Sequence, residues 1–225
     1  MIRTTTLVLV ICALAACTND PDRVGASRAT WRLLVERLGA LVGPAETAPF
    51  GITRAGIAGY PDPLIVATTD SGNRAGLVFA GRNGPWTSWQ TLDGISFTTR
   101  AGVLTATRGF GDDLLSAEAS GIVDRITARS EGPARRVERR LDGDNKIVIQ
   151  RYLCAIQDKG AETIVVFEIA HATRRMTENC RAETPNAAVE GFENTYWVGS
   201  GGTVWRSEQR VGPRAGRVIL EQLIE

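Results

Sequence analysis

The residues best suited to a defined chemistry stand near the start of the chain, where Cys17 follows Leu14-Ala15-Ala16. Small side chains before a cysteine suit cleavage by a signal peptidase, and the cysteine thiol would then carry a diacylglyceryl group. The apolar run from Leu7 to Ala16 is roughly half as long as a helix that crosses the hydrocarbon core. These features predict a cleaved lipoprotein signal at residues 1–16. They also predict a lipid anchor on Cys17, because several acyl chains together bind a bilayer stably.

The segment that begins at Cys17 is polar and predicts a short tether over residues 17–26. Thr18 stands where an Asp often retains a lipoprotein at the inner membrane. Its presence therefore favours the outer membrane, with the domain facing the periplasm. A plain secretory signal with a chance cysteine is the alternative.

The four cysteines separate by position along the chain. Cys12 would leave with the signal and Cys17 would be lipidated. Cys154 and Cys180 then remain as an even pair in an oxidising compartment. We therefore predict a disulfide between them, which would stabilise the fold by roughly 3–4 kcal/mol through the loop that it closes. Two buried free thiols are the alternative.

The balance of charge argues against nucleic acid as a partner. The chain has 26 Lys and Arg and 25 Asp and Glu. Loss of Arg3 with the signal leaves 25 minus 25, or zero, whereas a dedicated nucleic-acid binder is expected to carry a basic surplus. The remaining 209 residues (225 minus 16) are enough for one sizeable domain.

The sequence predicts no catalytic residues, no metal site and no cofactor. His171 is the only histidine. It stands at the end of an apolar strand beside no obvious partner, so neither a nucleophilic triad nor a histidine metal site is favoured. Asp112 with Asp113, or Glu118 with Asp124, would suit a glycosidase only if the fold placed the two carboxylates opposite each other.

The spacing of apolar residues predicts one helix followed by many strands. Ser27–Leu38 has helical periodicity and a serine that can cap it. From Pro63 onward, turn residues every 8–12 positions indicate consecutive antiparallel strands. The predicted strands are Pro63–Thr69, Ala75–Ala80, Trp86–Leu92, Ile95–Thr99, Val103–Thr107, Arg135–Leu141, Lys146–Ile156, Thr163–His171, Phe192–Val198, Thr203–Val211 and Arg217–Leu223. Asp112–Ala119 is predicted as a short helix and residues 184–191 as a loop, within a single mostly-β domain over residues 27–225.

Two pairs of aromatic residues bear on the core and on ligand binding. Trp86 and Trp89 are three residues apart in one predicted strand, and Tyr196 and Trp197 are adjacent in another. Odd spacing in a strand places side chains on opposite faces. We therefore predict that one member of each pair lies in the core and the other is partly exposed, with structural roles favoured over stacking on sugar rings.

Two groups of short motifs occur in order along most of the chain. The first runs from Trp89-Gln90-Thr91-Leu92-Asp93-Gly94 into Arg100–Leu114, and the second from Phe192–Trp197 into Gly202–Gln209 and Gly212-Pro213. Together with the cysteine signal, they resemble the YjbF/GfcB family of lipoproteins, which is associated with group 4 capsule and exopolysaccharide production. The matching motif positions are Trp89, Asp93, Thr107, Gly109, Asn194, Tyr196, Ser207, Gln209 and Pro213.

The resemblance implies an all-β fold, a large curved antiparallel meander sheet folded on itself, here with one N-terminal helix. Among the motif positions, Gly109 and Pro213 are expected in turns, and Ser207 and Gln209 in hydrogen bonds at strand ends. The family has no established enzymatic activity. We therefore expect a non-catalytic accessory factor in polysaccharide assembly or export, anchored to the membrane by lipid and contacting a polysaccharide or secretion-machinery proteins. A periplasmic carrier of lipids or lipoproteins and a glycan-modifying enzyme are the alternatives.

Overall fold

Alternating apolar and polar residues between glycine- and aspartate-containing turns fold most of the described chain into strands. The computed structural model describes residues 53–142, 144–184 and 191–225. The predicted signal, Cys17, the tether and the Ser27–Leu38 helix lie outside these residues. Within the described part of the chain, no helix is long and apolar enough to span a bilayer.

Twelve strands and two helices make up these residues. The helices are α1 (Arg54–Ile57) and α2 (Ser120–Ala128). The strands are β1 (Leu64–Thr69), β2 (Arg74–Asn83), β3 (Trp86–Gln90), β4 (Ser96–Arg100), β5 (Val103–Arg108), β6 (Leu114–Glu118), β7 (Gly132–Leu141), β8 (Ile147–Val166), β9 (Ile169–Ala182), β10 (Phe192–Val198), β11 (Val204–Gly212) and β12 (Gly216–Ile224).

The strands form a single sheet in which neighbouring strands are consecutive in sequence, with one exception. The order is β5-β4-β3-β2-β1-β12-β11-β10-β9-β8-β7-β6, and every neighbouring pair is antiparallel. All of these pairs are consecutive in sequence except β1 and β12, in which Leu64 lies opposite Ile224 and Thr69 opposite Val218.

The sheet curls until its two edge strands, β5 and β6, lie side by side. Side chains rather than a backbone ladder hold this seam. The Leu114 N–H donates to Thr107 Oγ1 (3.0 Å), and Arg108 Nη1 donates to the Leu114 carbonyl oxygen (3.1 Å). The expected all-β meander sheet folded on itself is therefore confirmed.

Helix α2 packs against the inner face of the curled sheet. Ile122, Val123 and Ile126 are buried on one side of this helix. They join a core cluster that includes Tyr152 from β8 and Tyr196 from β10. The helix therefore fills part of the interior that the sheet encloses.

The longest hairpin, β8–β9, bends back over the outer face of the sheet. Its register shifts between Asp158 and Ala161, and a bulge of this kind lets a strand bend. Beyond the bend, Ile164 and Val166 pack in a cluster with Trp197. The hairpin therefore buries a part of the outer face that would otherwise be exposed to solvent.

A contact from α1 holds the tip of this hairpin. Arg54 donates from Nε (3.1 Å) and Nη2 (3.0 Å) to the carbonyl oxygen of Phe167. Its Nη1 also donates to the carbonyl oxygen of Leu223 in β12 (3.1 Å). One side chain thus joins α1, the hairpin and the last strand.

The predicted disulfide is confirmed. Cys154 in β8 and Cys180 in β9 lie opposite each other in register, and their sulfur atoms are bonded at 2.02 Å. Both residues are buried. The alternative of two free thiols was wrong.

Most predicted strands are present, but the segment from Asp112 to Ala119 was assigned to the wrong kind of element. It contains strand β6 rather than a helix, because its backbone pairs with β7. On its other side this segment contacts β5 at the seam. The helix follows directly as α2, whose residues Ser120-Gly121-Ile122-Val123 are weak helix formers.

The prediction of one strand over Thr163–His171 was also wrong. The chain turns at Phe167-Glu168, so the segment is divided between β8 and β9. Both turn residues have positive φ, 46° and 76°. Because neither is Gly, Asn or Asp, the sequence carries no ordinary turn signal there.

The aromatic pairs have different outcomes. Trp89 is 5% exposed and Trp86 is 39% exposed, as predicted for opposite faces of β3. For Tyr196 and Trp197 the prediction was wrong, because both are buried. Tyr196 faces the interior, whereas Trp197 lies under the bent β8–β9 hairpin.

Candidate functional site

Strand β7 places a row of charged side chains inside the sheet. Arg136, Glu138 and Arg140 occupy every second position of the strand, so the strand period puts their side chains on one face. All three are buried, with at most 4% of each residue exposed. Buried charges are tolerated only when they are paired and hydrogen-bonded, so the surrounding strands must supply partners.

Glu178 in β9 is the main partner of Arg136. Arg136 Nε and Nη2 donate to the two carboxylate oxygens of Glu178, at 2.8 and 3.1 Å. The second oxygen also accepts from Tyr196 OH (2.6 Å) and Asn194 Nδ2 (2.8 Å). This buried carboxylate therefore joins β7, β9 and β10.

Glu138 is the second carboxylate of the network. It contacts Arg140 and Arg210, each at 3.1 Å. Arg210 also donates to Tyr152 OH (2.9 Å) and lies over the Phe192 ring, 4.2 Å from its centroid. The result is an interior network in which two carboxylates contact three guanidinium groups.

The network changes the ionisation of the groups that it contains. Burial and the neighbouring Glu178 carboxylate raise the pKa of Tyr196 well above its ordinary value. Tyr196 therefore remains a neutral hydrogen-bond donor over the physiological pH range. Burial disfavours the charge on Arg136, but the adjacent Glu178 reverses this effect and raises the pKa of Arg136.

Gln209 in β11 connects the network to the opposite wall of the sheet. Its Nε2 donates to the Gly102 carbonyl oxygen and to Ser207 Oγ, both at 2.8 Å. Its Oε1 accepts from the Leu104 N–H (2.8 Å) and lies 3.1 Å from Tyr196 OH. One amide therefore fixes the β4–β5 turn against β11 across the interior.

A cleft of about 650 Å³ opens beside this connection. Gly102 and Ser207, which Gln209 holds, both lie in its wall, together with Trp89 from β3 and Thr127 from α2. The indole N–H of Trp89 donates to Thr99 Oγ1 (3.0 Å), another wall residue. The buried network thus positions one side of the cleft.

The sequence of the chain matches a described family. The family described as "Group 4 capsule polysaccharide lipoprotein gfcB, YjbF" matches residues 29–223. The chain belongs to the YjbF family. No curated protein matches the chain at a significant level.

A solved structure shares the fold of this YjbF-family chain. It is described as the hypothetical lipoprotein YmcC from Escherichia coli (K12), with a TM-score of 0.68 and 20% sequence identity. The match covers 77% of this chain and 89% of that one. At this identity, the likeness establishes the shared architecture.

Four of the family-motif residues meet in the interior network. Asn194, Tyr196, Ser207 and Gln209 are all buried and are linked by the hydrogen bonds described above. The expectation that Ser207 and Gln209 stand at strand ends was wrong, because both lie within β11. Their structural role is to join opposite walls of the sheet rather than to end a strand.

Two more motif residues lie at the seam. Thr107 Oγ1 donates to Asp113 Oδ1 (2.9 Å), and the Gly109 N–H donates to Asp113 Oδ2 (2.9 Å). Gly109 has φ +97°, and a Cβ there would lie 3.2 Å from Ile95 Cγ1. A glycine suits this turn because it avoids both the strained φ and the close contact.

The remaining motif residues are separate from the network. Trp89 lies in the cleft wall, on the other side of the interior. Asp93 accepts a hydrogen bond from Thr91 in the β3–β4 turn. Pro213 is exposed in the β11–β12 turn.

Four of the residues weighed for catalysis, His171, Asp112, Asp113 and Glu118, have structural partners, whereas Asp124 is exposed on α2. The His171 ring stacks on Trp205, with centroids 3.8 Å apart. Asp113 binds backbone N–H groups at the seam, and Glu118 Oε1 accepts from the Ser120 hydroxyl (2.6 Å). The Ser120 hydrogen bonds lower the pKa of Glu118. Asp112 Oδ2 accepts from the Arg214 N–H (2.8 Å).

The carboxylate Glu178 also lies close to Cys154 and Cys180. Three such side chains could hold a metal ion if the sulfur atoms were thiolates. In this fold both sulfur atoms are in the disulfide, so they are not available as thiolate ligands.

Sequence reasoning missed the charged core of the site. Arg136, Glu138, Arg140, Glu178 and Arg210 were not among the predicted site residues. The alternating Arg-x-Glu-x-Arg pattern of β7 was the available signal, because period two places these charges on one face. The pattern alone does not distinguish a solvated face from a buried one.

Proposed function

We propose that this protein is a non-catalytic accessory factor in the assembly or export of capsule polysaccharide. Membership of a family described by capsule polysaccharide and by lipoprotein is the observation that carries the proposal. The Leu14-Ala15-Ala16-Cys17 motif agrees with it, because that motif predicts a lipid anchor. In this proposal the β domain faces the periplasm from the outer membrane.

A binding role is supported by the contacts of three acidic residues that were weighed for catalysis. Asp112, Asp113 and Glu118 each accept hydrogen bonds from nearby backbone or hydroxyl groups. A glycosidase instead requires two carboxylates facing each other across a substrate. The buried Glu178 and Glu138 are held by arginines and support the interior.

The arrangement does not favour the alternative of a lipid carrier. Carriage of an acyl chain calls for a continuous apolar cavity. Inside the described sheet, core side chains and the charged network occupy the space, and threonine and serine hydroxyls line the cleft. The accessory role therefore remains the single function that we propose.

Deletion and complementation of the gene test the proposal. We expect deletion to lower the amount of surface polysaccharide and the wild-type gene to restore it. A Cys17→Ser variant lacks the lipidated thiol. We expect the cell to synthesise this variant, but it should restore little polymer, because the domain is no longer held at the membrane. Unchanged polymer in the deletion strain under producing conditions would contradict the proposed role.

Membrane fractionation tests the location. We expect the wild-type protein to sediment with outer-membrane markers and the Cys17→Ser variant to be released with periplasmic markers. Sedimentation of the wild-type protein with inner-membrane markers would contradict the proposed location without affecting the role in polysaccharide production.

A further inference from the structure

The cleft lies at one end of the space that the sheet encloses and receives residues from distant parts of the chain. Its wall includes Trp89 from β3, Ser207 from β11, Leu220 from β12 and Thr127 from α2. Its volume of about 650 Å³ falls within the range of about 300–1,000 Å³ that small-ligand sites occupy. It is also open to solvent at one side, so a ligand longer than the cleft could extend from it.

Apolar and hydroxyl-bearing side chains alternate around the cleft. Pro63, Ala101 and Val204 provide apolar surface. Thr87 and Thr203, which are both partly exposed, provide hydroxyl groups beside it. A pyranose ring has the complementary character, because C–H groups cover its faces and hydroxyl groups surround its edge.

The charges around the cleft favour a ligand without a large net charge. Among the residues that line the cleft, Arg82 is the one arginine, and the carboxylates are those of Glu221 and Glu225. Glu221 already accepts from Arg206 at 2.9 and 2.6 Å. An array of phosphates would require a surplus of cations, and the cleft does not provide one.

The same side chains disfavour an acyl chain as the ligand. Burying hydroxyls and a guanidinium under a hydrocarbon would remove their water without replacing its hydrogen bonds. A sugar replaces those bonds, since each of its hydroxyls both donates and accepts. The hydroxyl-bearing part of the wall therefore favours a polyhydroxylated ligand over a lipid.

We infer that this cleft binds a short segment of a polysaccharide chain, one or two pyranose units long, with the rest of the polymer extending into solvent. The inference rests on the proposed function for the identity of the polymer. Gln209 hydrogen-bonds to Gly102 and Ser207 behind the wall of the cleft.

Calorimetric titration of the purified full-length protein in detergent micelles tests the inference. The probe is a set of oligosaccharides released by mild acid from the capsule of the producing strain. We expect saturable binding by the wild-type protein. Arg82→Ala removes an exposed donor at the rim and should weaken binding about threefold to tenfold, the effect of one lost hydrogen bond. Thr203→Trp places a large ring in the cleft and should abolish binding.

Two matched variants control for general effects of these changes. Arg139→Ala removes an exposed arginine from β7, and Thr163→Trp adds a ring at an exposed threonine of β8; neither residue lines the cleft. Both should bind as the wild type does. Circular dichroism should show that all four variants are folded.

The outcomes separate the cleft from the wider function. Wild-type protein that binds no oligosaccharide, or a Thr203→Trp variant that binds normally, would overturn the inference. If polysaccharide output still falls on gene deletion, the proposed function stands while the cleft assignment fails. If binding behaves as expected but deletion leaves polymer output unchanged, the cleft assignment stands and the proposed function fails. Acyl chains retained in the cleft, seen by native mass spectrometry and lost in Thr203→Trp, would also overturn the inference.

Discussion

At the scale of single residues, Glu178 depends on partners that come from two other strands, β7 and β10. Arg136 precedes it by 42 positions, and Asn194 and Tyr196 follow it by 16 and 18. None of these separations follows a local pattern. The presence of charges in β7 could therefore be seen in the sequence, whereas their burial could not.

Replacing Glu178 with Gln should destabilise the protein strongly. The change removes the main counter-charge of the buried Arg136 and leaves only the more distant Glu138, 3.8 Å away. Breaking a buried ion pair in this way costs about 3–5 kcal/mol. Chemical denaturation of the wild-type and variant proteins measures the difference. Glu183→Gln is the control, because its partner Arg135 is 76% exposed and such a pair should contribute at most about 1 kcal/mol. Equal losses in the two variants would contradict a special role for the buried pair.

Stability should decline at alkaline pH in part through Tyr196. Burial and Glu178 raise its pKa in the folded state. In the unfolded chain, the same tyrosine hydroxyl should titrate at about pH 10. Above that pH the unfolded state loses the proton first, so the free energy of unfolding falls as pH rises towards the folded-state pKa.

Tyr196→Phe should make this alkaline decline shallower. The variant should also be less stable at neutral pH, because its ring no longer donates to Glu178. Denaturant titrations at neutral pH and above about pH 10 give both quantities. A variant whose stability declines as steeply as that of the wild type would contradict the assignment.

At the scale of elements, the sequence predicted strands well where glycine, aspartate or asparagine marked the turns. Phe192–Val198 matches β10 at both ends, and Asp142–Asn145 separates β7 from β8. It failed at Phe167-Glu168, where two residues without a turn preference adopt positive φ. That turn forms because the hairpin packs on the outer face and Arg54 binds its tip, which are contacts between distant residues.

Arg54→Ala should loosen the tip of the β8–β9 hairpin. The variant loses two hydrogen bonds to the Phe167 carbonyl oxygen and one to that of Leu223. Hydrogen exchange should become faster around residues 164–170, with little change in the interior network. Lys146→Ala, in the turn of a different hairpin, is the control and should leave this exchange unchanged. Protection that persists at the tip in Arg54→Ala would show that apolar packing alone holds the hairpin.

Loss of the disulfide should weaken the same pair of strands. Cys154 and Cys180 are separated by 26 positions, and closing a loop of this size stabilises by about 3.5 kcal/mol on the chain-entropy model. The double variant Cys154→Ala, Cys180→Ala should lose about this amount in denaturant unfolding. Wild-type protein that has been denatured without reductant should show no free thiol from this pair. Two reactive thiols would contradict the bond.

At the scale of the whole molecule, closure of the sheet depends on a few side chains at the seam between β5 and β6. Apolar periodicity predicts strands and their order, but it does not show how far a sheet curls. In the structure, the hydrogen bond between Thr107 and Asp113 helps to hold the two edge strands together. These two residues are near each other in sequence. The family resemblance, rather than the periodicity, indicated the curved sheet.

Thr107→Val should weaken the seam while keeping the shape of the side chain. The variant loses the hydrogen bond to Asp113 and leaves the buried Leu114 N–H without its acceptor. An unsatisfied buried donor costs about 1–3 kcal/mol. Thermal unfolding should show this loss, with faster hydrogen exchange at β5 and β6 than at β10 and β11. Thr68→Val in β1, away from the seam, is the control. An unchanged seam in Thr107→Val would show that interior packing alone closes the sheet.

The pairing of β1 with β12 makes the order of strands around the sheet a cyclic shift of their order in the chain. The edge strands of the described sheet, β5 and β6, are therefore not the first and last of its strands along the chain. A circular permutant opened between β5 and β6, with a short linker from Ile224 to the region before Leu64, would keep every backbone ladder. Its twelve strands would then run as one uninterrupted up-and-down series, and the attachment point of any lipid tether would move to the opposite side of the sheet.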